Sequence, residues 1–268
     1  MSDFLQQMAR LSAERADAAG TIRASDLDKP LVPLRLGRFD IIAEIKGRSP
    51  AEGALAGADL DRVGQARQYV QGGAAAISVL TEPSRFDGTL DHLEEVAAAV
   101  PGTPVMRKDF LVEPVQVLEA RRAGASGVLL ITAMLSDEKL RAMLDAAFEL
   151  GMFVLLEAFD ENDLARSNAL LDKPSYHDRA AAGGLLIGVN TRNLRTLEVD
   201  SARLQRLAPL LPDARCVAES GLWTAADAAD AAGWGYSLAL VGSALMRSDD
   251  PAGLVSDMRG AGSARVAA

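Results

Sequence analysis

Short apolar runs alternate with longer amphipathic segments along most of the chain. Eight runs have the length and apolar character of buried strands: residues 39–46, 74–81, 104–110, 127–132, 153–158, 184–190, 215–220 and 237–243. The segments between them carry apolar residues at helical spacing, and several end in glycine just before the next run, as helix C-caps commonly do. Nearly continuous apolar strands that alternate with helices indicate a parallel sheet covered by helices.

The number of repeating units favours one α/β fold over another. Eight β/α units fit a (β/α)8 barrel, the TIM barrel, in which the parallel strands close on themselves inside a ring of helices. The competing fold is an open, doubly wound sheet, but no GxGxxG motif follows the first strand. The sequence therefore predicts a (β/α)8 TIM barrel.

Three segments lie outside the repeat. Residues 2–24 carry apolar residues at helical spacing and predict an extra N-terminal helix before the first strand. Residues 171–184 form a long polar excursion, and residues 259–268 lack periodicity. We therefore expect a single barrel domain at 1–258, which includes the N-terminal helix and a connector at 1–38, followed by a disordered tail at 259–268.

Composition and charge restrict the class of protein. Hydrophobic residues make up 49% of the 268 residues, which is typical of a globular chain. The net charge of −9 argues against a nucleic-acid-binding surface, since such surfaces are usually basic. No apolar run approaches the ~20 residues that span a membrane, and the N-terminus lacks the apolar region of a signal peptide. These features predict a soluble cytoplasmic protein that binds neither nucleic acid nor membrane.

The chain is poor in the usual metal ligands and nucleophiles. Cys216 is the only cysteine, and His92 and His177 are the only histidines. One cysteine gives neither a disulfide framework nor a thiolate cluster for zinc, and two histidines weaken the case for metal or triad chemistry. We therefore expect no metal site, and the chemistry must come from other side chains.

Ionisable and amide side chains gather at the carboxyl ends of the predicted strands, where barrel enzymes place their active sites. The first strand ends with Glu44 and Lys46, and side chains two apart on a strand point to the same side. Lys108, one of only five lysines in the chain, ends the third strand. The later strands add Glu157, Asn190, Arg192, Glu219 and Ser220. We interpret this set as a site at the mouth of the barrel.

Glycines near the last two strands indicate a phosphate site. Gly221 is predicted at the start of the seventh helix, and Gly242 and Ser243 at the start of a short helix after the eighth strand. Barrels often bind phosphate with these loops, because glycine lets the backbone approach and free N–H groups favour an anion.

Apolar side chains near the strand ends suggest that the ligand also has a flat group. Phe86, Phe110, Leu130 and Leu222 lie at or just past predicted strand ends. Aromatic residues make up only 4% of the chain, so two of them near the mouth are informative. Ordinary core packing is the alternative interpretation of each, and we interpret Trp223 as a packing residue.

Several stretches of the chain resemble the indole-3-glycerol phosphate synthase family. They occur in the family's order and comprise IIAEIKGRSPAEG, ISVLTEPSRFDGTL, PVMRKDFLVEPVQVLEARRAGASGVLLI, LLEAFDENDL, IGVNTRNLRTLEVD, AESGLWTAADA and LVGSALMR. The resemblance implies a carboxy-lyase that closes the ring of 1-(2-carboxyphenylamino)-1-deoxyribulose 5-phosphate, releases CO2 and then water, in tryptophan biosynthesis. It implies no cofactor, and it is compatible with a monomer.

The resemblance also implies roles for the charged residues. Lys108 is the general acid that protonates the ribulose carbonyl during ring closure and holds the substrate carboxylate. Glu157 stabilises the positive charge that develops on the anilino nitrogen. Lys46 is the acid of the dehydration step, with Glu157 or Glu44 as the base, and the order of these duties stays open.

Further residues are implied in binding. Glu44 and Glu219 position Lys46 and the substrate hydroxyls, and Asn190 and Arg192 contact the ribulose chain and the carboxylate region. The implied phosphate-binding residues are Ser49, Gly221, Gly242 and Ser243, and the remaining substrate contact is Ser220. The implied residues around the anthranilate ring are Phe86, Phe110, Pro50, Leu130 and Leu194.

Four alternatives bear on this interpretation. A paralogue acting on a modified anthranilate is one, because this chain has Thr191 where the family usually has asparagine and Ala158-Phe159 where it has a Val-His-like pair. A barrel that binds a phosphorylated ligand without catalysis is another. A phosphoribosylanthranilate isomerase would need a cysteine on the first strand, and a Schiff-base aldolase a lysine on a late strand, and neither is present.

Overall fold

Eight parallel strands close into a barrel in the computed structural model, which describes residues 3–49, 53–54, 60–194 and 199–267. The barrel strands are β1 Asp40–Ile45, β2 Ala76–Leu80, β3 Val105–Lys108, β4 Gly127–Ile131, β5 Phe153–Ala158, β6 Leu185–Asn190, β7 Arg215–Glu219 and β8 Leu238–Val241. Each falls within a predicted apolar run. The prediction of a (β/α)8 TIM barrel with an extra N-terminal helix is confirmed.

Neighbouring barrel strands are consecutive in sequence, and β1 closes the sheet by pairing with both β2 and β8. Glu44 on β1 is level with Ser78 on β2, and Asn190 on β6 is level with Glu219 on β7. Because side chains alternate along a strand, this register fixes which residues enter the barrel. A two-stranded antiparallel ribbon, Arg48–Ser49 with Gly53–Ala54, follows β1.

Helices surround the barrel. They are α1 Asp3–Asp17, α2 Arg62–Gln71, α3 Pro83–Phe86, α4 Leu90–Ala99, α5 Pro114–Arg122, α6 Asp137–Glu149, α7 Glu161–Leu170, α8 Pro174–Ala181, α9 Arg203–Leu207, α10 Ala225–Gly233, α11 Ser243–Met246 and α12 Pro251–Ala267. Ser136 and Asp160 cap the starts of α6 and α7. Gly124 and Gly151, after α5 and α6, adopt positive φ, as the predicted C-caps require.

The polar excursion at 171–184 contains helix α8. Pro174 occupies its first turn, where the missing N–H costs nothing. Tyr176 is buried, and its hydroxyl donates a hydrogen bond of 2.8 Å to Asp145 on α6. The excursion therefore docks on the helix ring.

The prediction of a disordered tail at 259–268 is wrong for the described residues up to 267. They continue helix α12, which packs against α10 and against the start of β1. Gly262 lies against the Phe39 ring, and the Ser263 hydroxyl donates a hydrogen bond of 3.2 Å to the Phe39 carbonyl. The sequence hid this helix because its close contact uses small residues, which leave no hydrophobic period.

Gly262→Ala should destabilise the protein. A Cβ at Gly262 would lie 2.5 Å from Phe39 Cγ, so the helix must move away from the barrel. We expect overpacking to cost about 1–3 kcal/mol, which exceeds the gain in helix propensity of about 1 kcal/mol. Gly260→Ala is the matched control on the same helix, because a Cβ there meets no atom within 4 Å, and it should be neutral or stabilising. Urea unfolding of both variants measures the difference, and equal stabilities would refute this contact.

Candidate active site

A cavity of about 440 Å³ opens at the carboxyl ends of the barrel strands. Its floor is polar and its walls are largely apolar. The predicted site residues that line it are Glu44, Lys46, Phe86, Lys108, Phe110, Glu157, Asn190, Arg192, Leu194, Ser220, Gly221, Gly242 and Ser243. Glu219 lies beneath them, fully buried. The charged and amide side chains at the ends of the predicted strands are therefore brought together in one cavity.

Glu44 bridges the two lysines of the floor. Its Oε1 lies 2.7 Å from Lys46 Nζ, and its Oε2 lies 2.8 Å from Lys108 Nζ. Burial alone would raise the pKa of Glu44, but Lys108 and Lys46 outweigh burial and lower this pKa to about 2. Burial alone would lower the pKa of Lys108, but Glu44, followed by the other two glutamates, raises it. Both lysines are therefore held beside one ionised carboxylate.

Asp109 follows Lys108 in the sequence, but its carboxylate pairs with neighbouring side chains and not with the two lysines of the floor. Its carboxylate accepts hydrogen bonds from Arg15 at 2.7 Å, from Arg107 at 3.0 Å and from Thr81 at 2.9 Å. It also accepts from the backbone N–H of Phe110. Arg15 belongs to the N-terminal helix, so this buried cluster ties α1 to the turn that carries Lys108. Asp109 is a structural residue of the site.

Glu157 and Glu219 are two further carboxyl groups whose charges act on Lys108. Both carboxyl groups are almost completely buried, with 1% and 0% of the residue exposed. Asn190 Oδ1 accepts from the backbone N–H of Arg192 at 2.9 Å, which turns the amide NH2 group of Asn190 towards Glu157. Burial raises the pKa of Glu157, and burial with the Glu157 charge raises the pKa of Glu219 well above its usual value.

Two turns with small residues line the side of the cavity after β7 and β8. Ser220 and Gly221 have φ of 66° and 77°, a left-handed pair that folds the chain back sharply after Glu219. Helix α10 begins only at Ala225, capped by Thr224, so the placement of Gly221 at a helix start is wrong. Gly242 precedes the four-residue helix α11, as predicted.

Gly242 is small because the charged floor lies against it. A Cβ at this position would lie 2.8 Å from Lys46 Nζ and would overlap with Glu44 Oε1. The absence of a side chain therefore makes room for the Glu44–Lys46 pair as well as for a ligand. The sequence indicated only the second role.

The apolar wall is built around Phe110. The ring centroids of Phe86 and Phe110 are 6.1 Å apart, and Phe4 from α1 packs edge-on to Phe110 at 5.9 Å. Such aromatic contacts favour binding of a flat ring. Phe4 was missed, because a single phenylalanine on an amphipathic helix gives no sign of which strand ends it will cover.

The assignment of Leu130 to the wall is wrong. Leu129 and Ile131 line the cavity, and Leu130 between them belongs to the outer face of β4. Trp223 also lines the cavity and is 46% exposed, so the interpretation as a packing residue is wrong too. Pro50 and the side chain of Ser49 lie outside the described residues.

The described residues contain neither a candidate metal site nor a candidate membrane span. No group of three or more His, Cys, Asp or Glu side chains is arranged to hold a metal ion in this part of the chain. Within the same residues, no helix combines the length and the apolar character needed to cross a membrane.

The fold and the cavity define a (β/α)8-barrel protein with a buried lysine–glutamate ion-pair cluster at the carboxyl face. A model of the indole-3-glycerol phosphate synthase family matches residues 32–258. The chain therefore belongs to the indole-3-glycerol phosphate synthase family.

Curated relatives agree with this assignment. Indole-3-glycerol phosphate synthase of Nocardioides sp. is 46% identical over 92% of this chain and 92% of its own length. The enzyme of the same name from Mycobacterium leprae is 42% identical over 97% of this chain and 91% of its own length. These alignments extend across the whole barrel.

Solved structures of more distant proteins share the fold alone. 3-Hexulose-6-phosphate synthase of Salmonella typhimurium superposes with a TM-score of 0.61 at 18% identity, covering 85% of this chain and 99% of the other. Tryptophan synthase subunit alpha of Legionella pneumophila gives 0.57 at 16% identity, covering 97% and 98%.

Proposed function

We propose that the protein carries out the reaction of its family in this cavity, converting 1-(2-carboxyphenylamino)-1-deoxyribulose 5-phosphate to indole-3-glycerol phosphate, CO2 and water. The observation that carries the proposal is the Glu44 carboxylate bridging Lys46 and Lys108 beside an aromatic wall. The reaction needs two acid steps, and the floor offers two ammonium groups. It also needs a site for a flat ring and a site for an anion.

Lys108 serves the ring closure. The ring carbon that bears the carboxylate attacks the ketone carbon, and the carbonyl oxygen becomes a hydroxyl by taking a proton. The raised pKa of Lys108 keeps its ammonium charged, which is the form that donates this proton and stabilises negative charge on the oxygen. Loss of CO2 then restores the aromatic ring.

Lys46 serves the dehydration. The hydroxyl formed from the ketone leaves as water after receiving a proton, and a base removes a proton from the neighbouring carbon. Glu44 is a poor base, because two lysines hold its pKa at about 2. Glu157, whose pKa is raised, is the stronger base. The electrostatics therefore favour Glu157 over Glu44 for this duty.

Binding follows from the polarity of the cavity. The anthranilate ring lies against Phe86 and Phe110, and the phosphate lies between the Ser220–Gly221 turn and Gly242–Ser243. Arg192 and Asn190 face the carboxylate and the ribulose chain. Membership of the family is compatible with a monomer, and we place the protein in the cytoplasm with other enzymes that act on small soluble substrates.

The test is conversion of the proposed substrate by the purified protein, followed by mass spectrometry and indole fluorescence. We expect one CO2 and one indole-3-glycerol phosphate for each substrate consumed. Preferential turnover of a ring-substituted substrate would instead identify a paralogue acting on a modified anthranilate. Binding of the substrate without turnover would identify a non-catalytic barrel and refute the proposal.

A further inference from the structure

We propose that Glu157 and Glu219 hold one proton between them in the substrate-free protein, and that Gly188 is the positioning residue that allows them to meet. This inference rests on the proposed function only for its consequence, which is that Glu157 stays ionised and can serve as the base. The pairing itself is a property of the free protein.

Gly188 leaves the space that the Glu219 carboxyl group occupies. A Cβ at Gly188 would overlap with Glu219 Oε1 and would lie 3.1 Å from Glu219 Cδ. Gly188 is also the register partner of Glu157 on the adjacent strand. The carboxyl group of Glu219 therefore lies over the backbone beside Glu157, with the apolar Leu155 side chain below it.

Three of the four oxygens of this pair lack a donor among the described residues. Neither Oε1 nor Oε2 of Glu219 accepts a hydrogen bond from a described residue while both groups are ionised, and the same holds for Oε1 of Glu157. A buried carboxylate without donors is costly. A proton on one carboxyl group supplies the missing donor to the other, and the Glu157–Glu219 hydrogen bond then forms.

The charges of the floor require the same proton. Two ammonium groups, Lys46 and Lys108, face three carboxyl groups, and both ammonium groups contact Glu44. Without a proton, the pair would add two negative charges in a buried site next to one shared lysine. With one proton, the floor is neutral before an anionic substrate enters.

Glu219 carries the proton. Burial and then the Glu157 charge raise its pKa well above the usual value, and Lys108 opposes this only in part. Glu157 has Lys108 and the Asn190 amide as further stabilising partners, so it is the ionised member. Glu157 is thereby kept as a base, and Glu219 presents a neutral O–H donor.

Infrared difference spectroscopy of the substrate-free protein at pH 7 tests the pair without using activity. We expect Glu219→Gln to remove the carbonyl stretch of a protonated carboxyl group that the wild type shows. Glu138→Gln, at an exposed position on α6, is the matched control and should leave that band intact. An unchanged band in Glu219→Gln would overturn the proposal, even if the protein proves to be an active synthase.

Stability against pH gives a second readout. The folded-state pKa of Glu219 lies above its unfolded value of about 4.5, so the folded state keeps a proton that the unfolded state loses. The contribution of Glu219 to stability is therefore lost as pH rises above that value, until the folded pKa is passed. Glutamine does not titrate, so the stability of Glu219→Gln relative to the wild type should rise over the same pH range. Parallel stability profiles would contradict the shared proton.

Gly188→Ala tests the positioning role. Its Cβ should expel the Glu219 carboxyl group and abolish the band, whereas Gly242→Ala, which disturbs the Glu44–Lys46 pair instead, should keep it. A folded Gly188→Ala protein with an intact band would refute the role of Gly188. If that variant does not fold, the two Glu219→Gln measurements still decide the main claim.

Discussion

Lys108→Ala should lower kcat by about 10⁴-fold or more, since general-acid catalysis alone contributes about 10²–10⁴-fold and the oxyanion also loses its cation. The fold should survive, because Lys46 still pairs with Glu44 at 2.7 Å. KM should change less than kcat, because the phosphate turns and the aromatic wall are untouched. Steady-state kinetics by indole fluorescence, with thermal unfolding alongside, measures both effects.

Lys139→Ala is the matched control for that variant. Lys139 pairs with Glu113 at 2.7 Å on the helix ring, and 38% of its side chain is exposed. The control should show wild-type kinetics. Near-normal turnover in Lys108→Ala would show that Lys108 is not the general acid. It would also refute the assignment of ring closure to Lys108 and dehydration to Lys46.

Gly242→Asp should raise KM by about 10²-fold, because like charges placed together across a binding site cost several kcal/mol. The new carboxylate would lie on the phosphate side of the cavity. It would also compete with Glu44 for Lys46, whose Nζ is 2.8 Å from the Cβ position. We therefore expect kcat to fall as well.

Gly102→Asp is the control for the added charge, because a Cβ there meets no atom within 4 Å and the loop is exposed at the other end of the barrel. Its KM should equal that of the wild type. If Gly242→Asp also keeps a normal KM, the phosphate must bind elsewhere.

The charged floor could be predicted from sequence for a definite reason. Glu44 and Lys46 are two residues apart at the end of an apolar strand, so they share a face. Closure of a parallel barrel then brings the carboxyl ends of all strands to one mouth. Those two rules place Lys108, Glu157 and Asn190 in the same cavity without any knowledge of side-chain packing.

The wall could not be predicted as well, because apolar strands of a barrel are buried on both faces. Leu129, Leu130 and Ile131 are indistinguishable in the sequence. Ile131 pairs in register with Glu157, and only this register shows that Leu129 and Ile131 face the inside of the barrel. Phe4 and Gly188 depend on contacts between segments far apart in sequence, which no local pattern encodes.

The most direct measurement of the two-lysine mechanism is a single-turnover experiment with Lys46→Ala and Lys108→Ala, quenched and analysed by mass spectrometry. If Lys46 is the acid of dehydration, its variant should accumulate a species that has lost CO2 but retains the water. Lys108→Ala should accumulate only substrate. If both variants stop at unreacted substrate, or if Lys46→Ala forms product at the wild-type rate, the assignment of one acid step to each lysine is wrong.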